Sequence, residues 1–455
     1  MFSKVLIANR GEIAARIAKT CKRMGIETVA VYSEVEKDSV HVQACDQAVC
    51  VGPGPVRESY LNADAILDAA RSTNADAIHP GYGLLSENPE FAKTVRDAGI
   101  GFIGPDAEML TLFGDKLRAR QVAHEAGVRC NPASDPVADA SQAHAHAYQL
   151  GYPLLVKAVA GGGGIGMELV QEPEALADAI QRCQRRGEQA FGDVRVYLER
   201  AIDRPRHVEV QLIGDSTGHV LAFGERECSV QRRHQKLIEE SPAPVFTNLH
   251  DGETVREQML AAAISIFEQV RYQNIGTCEF LVDAHGQFYF LEVNARLQVE
   301  HAVTEMCWGI DLVELQLRMA AGQPLPPELD YKLPSGHAIE ARICAENPLK
   351  NFAPSPGDVE ELRWPPLPVG SVRVDSGIGV GSKVTPYYDS LVAKVIAHGP
   401  TRHQALLLLD RALGGTLVQP LQTNIEFLRS VLADHAFRAG QYDTAITQRL
   451  LPPPP

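Results

Sequence analysis

In the first part of the chain, segments with the hydrophobic pattern of a β-strand alternate with segments that have the pattern of an α-helix. The apolar run KVLIA at residues 4–8 is followed by Ile13, Ile17 and Cys21, which recur on one helix face, and then by the β-branched run IETVAVYS. A strand, a helix and a second strand at this spacing predict a right-handed crossover between parallel strands. Gly and Pro punctuate the continuation NADAIHPGYGLLSENPEFAKTVRDAGIGFIGP, where ligand-facing loops usually lie. We therefore predict a Rossmann-like α/β domain over residues 1–114.

The middle of the chain changes to the alternation typical of strands. The segment YPLLVKAVAGGGGIGMELV places two apolar runs around a glycine-rich loop, and a helical segment and the strand RVYLERAI follow it. Because glycines leave a loop free to close, residues of about 131–204 are expected to form a mobile lid over a ligand. The segments HVEVQLIGDSTGHVLAFGE and TCEFLVDAHGQFYFLEVNARLQ predict two hairpins. Together these segments predict a second domain, of mixed strands and helices, over residues 115–330.

A Pro- and Gly-rich stretch, GQPLPPELDYKLPSG, marks the next boundary. Beyond it, the segments HAIEARICAEN and VRVDSGIGVGSKVTPYYDSLVAKVIAHG predict a smaller, strand-rich domain over residues 331–446, with a helix around TRHQALLLLDRAL. The chain ends in LPPPP, which cannot continue a helix or a sheet, so residues 447–455 are predicted to form a flexible tail. The fold class is thus α/β and α+β, in several domains.

Composition narrows the class of partner. The net charge of -14 over 455 residues argues against nucleic acid or an anionic membrane surface as the main partner. Nine cysteines include no CxxC pair, which favours free thiols in a reducing compartment. The N-terminus enters a strand without a signal-like apolar core, and no apolar run is long enough to span a bilayer. We expect a cytoplasmic protein without a membrane anchor.

The glycine-rich loop KAVAGGGGIGM is the first candidate for chemistry. Consecutive glycines let backbone amides approach a phosphate, although the loop lacks the Lys-Ser/Thr ending of a P-loop and the spacing of a dinucleotide fingerprint. A merely flexible linker is the alternative. Lys157, which precedes the loop on a strand, favours the phosphate-binding interpretation.

A cationic cluster lies in GERECSVQRRHQKLIEE, where Arg226, Arg232, Arg233, His234 and Lys236 are close together in an acidic protein. Such a run is often only a solvated face. Its fixed position directly after a hairpin makes an anion site plausible as well.

The segment FLEVNARLQVEH at residues 290–301 alternates throughout, and a strand would place its polar residues on one face: Glu292, Asn294, Arg296, Gln298 and Glu300. Closing the preceding turn with Asp283 opposite Gly286 puts Glu279 on the same face as Glu292, as a diagonal neighbour about 7–8 Å away. Two buried carboxylates need a cation, and Mg²⁺ suits them together with an amide oxygen. An exposed edge strand with alternating charges is the alternative. A glycine lid, lysines, a cationic cluster and a carboxylate pair together indicate an ATP site in a ligase or carboxyl-activating enzyme.

Motifs spread over nearly the whole chain resemble those of the biotin carboxylase family, within the ATP-grasp superfamily. The segments that carry the resemblance are LIANRGEIAARI, HPGYGLLSEN, FIGP, GDK, ERECSVQRRHQK, EVNARLQVEHAVTE, GHAIEARICAEN, PSPG and YYDSLVAKVI. The resemblance implies an N-terminal domain, an ATP-grasp domain and a C-terminal domain. It also implies ATP- and bicarbonate-dependent carboxylation of the N1′ nitrogen of biotin through carboxyphosphate.

The resemblance assigns roles to individual positions. It implies that ATP is bound by Lys116, Lys157, Gly163, Gly164, Glu199, Arg200, Ala201, Ile202, His207, Gln231, His234 and Glu279. It implies a Mg²⁺ or Mn²⁺ site at Glu279, Glu292 and Asn294. Bicarbonate and biotin would be handled by Lys236, Arg296, Gln298, Val299, Glu300, Arg342 and Tyr82, with Lys236, Arg296, Glu300 and Arg342 as the catalytic set. Glu300 would remove the proton of bicarbonate, and Arg342 would stabilise the biotin enolate.

The chain departs from the family pattern at a few positions near the site. Ile165 stands where the loop usually carries a basic residue, Ala160 where a glycine is common, and Arg200 and Ala201 alter the usual hinge pair. None of these changes removes a charged catalytic group.

The resemblance also implies partners. No Lys follows a Met, so a Met-Lys-Met biotinylation motif is missing from the sequence, and biotin is expected to arrive on a biotin carboxyl carrier protein that works with carboxyltransferase subunits. A homodimer is implied as well. Two alternatives stay open at this point: an ATP-grasp ligase that activates another carboxylate or makes carbamoyl phosphate, and a nucleotide-binding subunit with little activity of its own. Arg342 and the YYDS segment favour biotin over the first alternative.

Overall fold

A computed structural model describes residues 1–137, 140–160, 166–233, 235–365 and 370–451. Four positions singled out above, Gly163, Gly164, Ile165 and His234, lie outside the described residues. All nine cysteines are free thiols, as expected. None of the helices within the described ranges is long and apolar enough to cross a membrane.

The N-terminal region forms a five-stranded parallel sheet with strand order β3-β2-β1-β4-β5. Its strands are β1 (Lys4–Ile7), β2 (Glu27–Ser33), β3 (Gln47–Gly52), β4 (Ala77–His79) and β5 (Gly101–Phe102). Its helices are α1 (Gly11–Arg23), α2 (Val40–Ala44), α3 (Ala63–Thr73), α4 (Pro89–Asp97) and α5 (Ala107–Gly114). The predicted crossover is confirmed: β1 and β2 are parallel, and α1 between them buries Ile13, Ile17 and Cys21.

The region of the predicted lid contains a small antiparallel sheet of its own, with strand order β7-β6-β8. Its strands are β6 (Leu154–Ala158), β7 (Met167–Val170) and β8 (Val196–Arg200), and its helices are α7 (Ala140–Leu150) and α8 (Leu176–Phe191), while α6 (Lys116–Glu125) precedes this region. Apolar side chains of the sheet and of α8, such as Leu154, Val156, Leu198 and Cys183, form a separate small core. A unit with its own core can move as one body, and that motion stays a prediction.

An eight-stranded sheet joins the middle and the last part of the chain, with strand order β13-β12-β9-β10-β11-β14-β21-β19. Its strands are β9 (Arg206–Gly214), β10 (Val220–Arg232), β11 (Gln235–Ser241), β12 (Asn274–Val282), β13 (Phe288–Asn294), β14 (His337–Cys344), β19 (Val372–Ser376) and β21 (Leu391–Gly399). Both predicted hairpins are confirmed, as β9 with β10 and β12 with β13. Strand β14 pairs with β11, so the sheet runs unbroken past residue 330, where the sequence predicts a domain boundary.

The remaining elements cover this sheet and complete the C-terminal part. The helices are α9 (Pro244–Asn248), α10 (Gly252–Gln269), α11 (His301–Trp308), α12 (Leu312–Ala320), α13 (Arg402–Gly415), α14 (Ile425–Ala433), α15 (His435–Arg438) and α16 (Ile446–Leu450). Short strands β15 (Glu346–Asn347) and β16 (Ala353–Pro354), β17 (Gly357–Asp358) and β20 (Lys383–Val384), and β18 (Glu361–Arg363) and β22 (Leu417–Gln419) form three small pairs. The expected combination of α/β and α+β units is thus confirmed.

The chain end differs from the predicted tail beginning at residue 447. Helix α16 spans Ile446–Leu450, with Ile446 and Thr447 buried, and the Thr447 hydroxyl donates to the backbone carbonyl of Gln231. This hydrogen bond and the apolar contact of Ile446 hold the segment against the body of the protein. Residues 452–455 lie outside the described part of the chain.

Candidate active site

A cavity of about 1070 Å³ lies between the N-terminal sheet, the lid-region sheet and the eight-stranded sheet. Most of the described residues that the sequence assigns to a site line it: Tyr82, Lys116, Lys157, Ala201, Ile202, His207, Gln231, Lys236, Glu279, Glu292, Asn294, Arg296, Gln298, Val299 and Arg342. Among the described candidates, Glu199, Arg200 and Glu300 are not part of its lining; Glu199 and Glu300 are buried, and Arg200 is exposed. The sequence therefore identifies residues from distant segments that meet in one place.

A row of carboxylates crosses three neighbouring strands at the floor of the cavity. Glu209 on β9 pairs directly with Glu279 on β12, and Glu279 pairs directly with Glu292 on β13. Residues paired in this way point to the same face of a sheet. The predicted diagonal relation of Glu279 and Glu292 is wrong in register, although the two side chains do share a face as expected.

A β-bulge explains the difference in register. The turn closes with Asp283 opposite Gln287, one residue later than predicted, and this register alone would place Glu279 opposite Leu291 and on the other face from Glu292. A shift between Glu279 and Phe280 inserts one unpaired residue on β13 and restores the pairing of Glu279 with Glu292. The bulge therefore brings the two acids together.

The alternation in residues 290–301 does not correspond to one strand. Strand β13 ends at Asn294, the next residues form an irregular loop, and α11 begins at His301. Arg296, Gln298 and Glu300 therefore reach the site from a loop and a helix start, not from a strand face. Beyond Asn294 the apolar Ala295 and Leu297 are buried, but so are the polar Gln298 and Glu300, so burial in the loop does not follow the alternation of the sequence.

Lys236 is held by three carboxylates at once. Its ammonium nitrogen Nζ lies 2.7 Å from Glu209 Oε2, 2.9 Å from Glu279 Oε1 and 2.6 Å from Glu300 Oε1. Burial by itself would lower the pKa of Lys236, but the surrounding acids raise that pKa well above its usual value. The lysine is thus charged, and it is the cation that keeps these acids close together.

Glu300 precedes helix α11 and lies between two cations. Its Oε1 accepts from Lys236 and its Oε2 accepts from Arg342 Nη2 at 2.9 Å. Burial alone would raise the pKa of the Glu300 carboxyl, but Lys236, Arg342 and Arg226 hold it well below its usual range. Glu300 is therefore ionised and able to accept a proton, and its two cations are groups that can also contact an anionic substrate.

The predicted metal ligands fit a hard divalent cation by their chemistry. Burial and the charge of Glu279 raise the pKa of Glu292, which indicates an acid whose charge is not fully compensated. Asn294 Nδ2 donates to Glu279 Oε1 at 2.9 Å, and Asn294 Oδ1 accepts from Arg296 Nη2 at 3.1 Å. Two carboxylates and an amide oxygen are the donors that Mg²⁺ prefers. His207, Glu209 and Glu279 also lie close enough to share an ion, and Glu292 lies outside that tight group.

The other end of the cavity carries the lysines expected to face phosphate. Lys157 Nζ donates to Glu199 Oε1 at 2.6 Å, and Arg120 Nη1 lies 3.1 Å from Glu199 Oε2. Burial lowers the pKa of Lys116, and the charge of Lys157 also lowers it, whereas the charge of Glu292 raises it. Because Lys116 is close enough to interact with both residues, it lies between the two ends of the site. Burial would raise the pKa of Glu199, but Lys157 and Arg120 lower it.

The hinge positions occupy the wall of the cavity beside β8. Ala201 and Ile202 line it, whereas the side chain of Arg200 is exposed and its backbone carbonyl accepts from Asn131 Nδ2. On the adjacent wall, His207 Nε2 lies 2.8 Å from Glu279 Oε2 and His207 Nδ1 lies 2.6 Å from Gln231 Nε2. The His207 and Gln231 predictions thus fall on the same side of the site as Glu279.

Arg296 has a partner that the sequence did not suggest. Its Nε donates to Glu87 Oε2 at 2.7 Å, and its Nη1 donates to Gln298 Oε1 at 3.0 Å. Glu87 belongs to the N-terminal region, so this ion pair crosses the cavity from one sheet unit to another. Tyr82, also N-terminal, lines the cavity and donates its hydroxyl to Glu12.

Several residues of the site were missed in the sequence: Glu12, Glu87, Arg120, Asn131, Glu209 and Glu239. Glu209 is fully buried and holds Arg226 Nε at 2.5 Å, and Glu239 Oε1 lies 2.5 Å from Arg342 Nη2. Glu209 stands in an alternating strand, HVEVQLIG, so an inward-facing acid in that hairpin was a usable signal. Glu239 gives no such signal, because its partner Arg342 lies on a strand about 100 residues later.

Three protein families match consecutive parts of the chain. The family described as "Biotin carboxylase, N-terminal domain" matches residues 1–110. The family described as "Carbamoyl-phosphate synthase L chain, ATP binding domain" matches residues 115–328, and "Biotin carboxylase C-terminal domain" matches residues 340–449.

Individual relatives are similar over the full length of the chain. A biotin carboxylase of Halalkalibacterium halodurans is 48% identical over 448 residues, which cover 98% of this chain and 97% of the relative. The mitochondrial propionyl-CoA carboxylase alpha chain of Sus scrofa is 46% identical over 99% of this chain, and the match spans 61% of that longer protein.

Solved structures are similar as well. The biotin carboxylase of Campylobacter jejuni in complex with a βγ-ATP compound has a TM-score of 0.94 at 42% identity and covers 99% of both chains. The biotin carboxylase domain dimer of the Hydrogenobacter thermophilus 2-oxoglutarate carboxylase, with MgADP, ADP and bicarbonate, has a TM-score of 0.93 at 41% identity and covers 99% of this chain and 98% of that chain.

Proposed function

Because the chain belongs to the biotin carboxylase family, we propose how the residues of its cavity divide the reaction of that family between them. The protein is an ATP-dependent carbon–nitrogen ligase that carboxylates biotin with bicarbonate, the first half-reaction of a biotin-dependent carboxylase. Its substrates are ATP, bicarbonate and biotin, and its metal cofactor is Mg²⁺.

The observation that carries the assignment of roles is the placement of Glu300 between Lys236 and Arg342, at 2.6 and 2.9 Å. An ionised carboxylate between two cations can bind beside an anion and accept its proton, since the cations attract the anion that the carboxylate alone would repel. Arg296, Gln298 and Val299 also line the cavity. We assign bicarbonate to this subsite, with Glu300 as its base.

The reaction proceeds through steps in which every proton has a destination. Glu300 takes the bicarbonate proton, and a carbonate oxygen attacks the γ-phosphorus of ATP, which breaks the bond to ADP and forms carboxyphosphate. Carboxyphosphate separates into CO₂ and phosphate, and the phosphate takes the N1′ proton of biotin. The N1′ nitrogen then attacks CO₂, while Arg342 stabilises the negative charge on the ureido oxygen.

ATP lies towards the other end of the cavity in this proposal. Lys116 and Lys157 face its phosphates, Glu199 holds Lys157 in place, and Ala201 and Ile202 lie beside its base. Glu279, Glu292 and Asn294 would hold Mg²⁺, or Mn²⁺ in its place. The ion would neutralise phosphate charge when ATP is bound.

Several finer features belong to the proposal as well. Biotin would arrive on a biotin carboxyl carrier protein that works with carboxyltransferase subunits, and the chain would form a homodimer in the cytoplasm. The solved Hydrogenobacter thermophilus domain is named as a dimer, which supports the proposed homodimer. Measurement of the mass in solution tests it. Capture on streptavidin of a biotinylated polypeptide bound to this chain tests the carrier.

Steady-state kinetics with free biotin tests the function. Release of ADP should require bicarbonate and rise with biotin, and ¹⁴C from bicarbonate should appear in carboxybiotin. The Glu300→Gln variant should lose both signals and still bind ATP. ADP release that ignores biotin but responds to another carboxylate would instead place the chain among other ATP-grasp ligases.

A further inference from the structure

Lys394 on β21 is a fully buried lysine whose partners lie at the edge of the active site. Its Nζ donates to the backbone carbonyl oxygen of Val299 at 2.6 Å and lies 3.3 Å from Glu12 Oε1. Asp375 Oδ2 is 4.0 Å away, and the side chain of Lys394 has 0% exposed surface. Burial of an ammonium group costs free energy, and the contacts with these three oxygens offset that cost.

Glu12 connects the same lysine to Tyr82, one of the residues expected to bind bicarbonate or biotin. Its Oε1, which faces Lys394, also accepts the hydroxyl hydrogen of Tyr82, and its Oε2 is buried without a hydrogen-bond partner among the described residues. Both Glu12 and Tyr82 line the cavity. One carboxylate oxygen therefore joins the Lys394 ammonium to the Tyr82 phenol.

The position of Glu12 is fixed by a close contact between the two ends of the fold. The segment after β19 passes the start of α1 at Gly377, where a Cβ atom would lie 2.7 Å from the backbone nitrogen of Glu12 and 3.0 Å from Gly11 Cα. Only glycine permits this approach. Lys394 thus links three parts of the chain: α1, the loop that follows β13, and β21.

The loop has a second anchor at the residue before Val299. The backbone carbonyl of Gln298 accepts from the His301 backbone nitrogen at 3.3 Å, and His301 Nδ1 lies 2.7 Å from the same oxygen. Consecutive backbone carbonyls, of Gln298 and Val299, therefore both accept hydrogen bonds from side chains. The loop is fixed in one conformation immediately before Glu300.

We propose that Lys394 and Glu12 are positioning residues for the two acceptor subsites, Lys394 through the Val299 peptide that leads into Glu300 and Glu12 through the Tyr82 hydroxyl. The inference rests on the proposed function, which assigns bicarbonate to the subsite of Val299 and Glu300, and it extends that function by assigning biotin to the side of the cavity where Tyr82 lies. Neither residue touches the reacting atoms. A shift of the Val299 peptide would misplace bicarbonate relative to ATP, and displacement by about 1 Å can lower a rate by about 100-fold.

The test separates the subsites by their Michaelis constants. Lys394→Met releases the Val299 carbonyl, and it should lower kcat/KM for bicarbonate by about 100-fold, with KM for bicarbonate raised and KM for ATP within about two-fold of wild type. Tyr82→Phe, which removes only the hydroxyl that Glu12 holds, should raise KM for biotin and leave KM for bicarbonate unchanged. Lys383→Met, at an exposed lysine on β20, is the matched control and should behave as wild type.

A double variant guards against simple misfolding. Lys394→Met leaves Glu12 as a buried acid without its cation, whereas Lys394→Met/Glu12→Gln removes both charges and keeps an amide oxygen for Tyr82. The double variant should fold and still show the raised KM for bicarbonate, because the Val299 carbonyl is still unheld. If its KM for bicarbonate equals that of wild type, or if the KM values for ATP and bicarbonate rise together, the positioning role is overturned. If the wild-type protein releases no ADP in response to bicarbonate, the proposed function itself is refuted.

Discussion

Replacing Lys236 by methionine tests whether one lysine holds three acids together. The methionine keeps the length and apolar stem of the side chain but leaves Glu209, Glu279 and Glu300 without their shared partner, which lies 2.6–2.9 Å from each of them. Removing one member of a buried ion pair typically costs about 3–5 kcal/mol in free energy of unfolding. We expect a loss in this range at neutral pH, because all three acids are almost completely buried.

The loss should depend on pH in a defined direction. In the wild type, Lys236 and its neighbours lower the pKa of Glu279 and Glu300 against the effect of burial. A carboxylate with a lowered pKa stabilises the fold above its unfolded pKa of about 4.3, and that contribution disappears as the pH falls through the folded pKa. The difference between wild type and Lys236→Met should therefore be largest at pH 7–8 and shrink below about pH 4.

Equilibrium urea denaturation followed by tryptophan fluorescence measures this difference. Trp308 ends helix α11, which begins next to Glu300, and a Trp364→Phe background leaves Trp308 as the single fluorescent reporter. Lys37→Met at an exposed site is the control. Glu279→Gln should lower the free energy of unfolding less in the Lys236→Met background than in the wild type, because the ion pair between Lys236 and Glu279 is already lost there. Stability of Lys236→Met within about 0.5 kcal/mol of wild type at pH 7.5 would refute the shared ion pair.

Three further outcomes are expected. Glu300→Gln should lower kcat for bicarbonate-dependent ADP release by about 10²–10⁴-fold with KM for ATP little changed, and steady-state kinetics that show a smaller loss would remove Glu300 as the base. Glu292→Gln should raise the Mg²⁺ concentration for half-maximal activity by about tenfold or more in a metal titration, and an unchanged midpoint would exclude Glu292 as a ligand. Burial raises the pKa of Glu239 to about 7, so its contribution to stability should fall as the pH rises from about 4.5 through 7, by up to about 3 kcal/mol. Urea denaturation at pH 5 and pH 8 should show that the Glu239→Gln variant lacks this pH dependence. If the free energy of unfolding changes equally with pH in wild type and in Glu239→Gln, the assignment to Glu239 is contradicted.

The parts of the fold that could be predicted are those in which neighbours in sequence are neighbours in space. The β1–α1–β2 crossover follows from apolar spacing, and the hairpins of β9 with β10 and of β12 with β13 follow from alternation on both sides of polar turns. The resemblance of motifs, rather than periodicity, places Arg342 beside Glu300, because β14 and α11 meet only through tertiary packing.

The errors at the site have two kinds of cause: local irregularities of the backbone and pairing between strands that are distant in sequence. Register across β12 and β13 depends on one bulged residue at Leu291, which leaves no mark in an apolar run. Alternation beyond Asn294 predicted a strand, but it is a pattern of residue types only, because the loop buries the polar Gln298 and Glu300 as well as the apolar Leu297. Glu209 joins the site because it pairs with Glu279, which lies on a strand about 70 residues later in the chain. Spacing along the sequence does not tell which distant strands pair.

The pairing of β11 with β14 has a practical consequence for dividing this protein into pieces. Four residue pairs, from Ile238 with Ala341 to Ser241 with Ala338, join strands that lie on opposite sides of the predicted boundary at residue 330. A fragment that stops there would present β11 as an open sheet edge, with unpaired backbone groups beside the buried acids Glu239 and Glu240. Such edges recruit strands from other molecules, so the isolated fragment should self-associate, and the nucleotide-binding half should be soluble only when β14 and β21 are supplied with it.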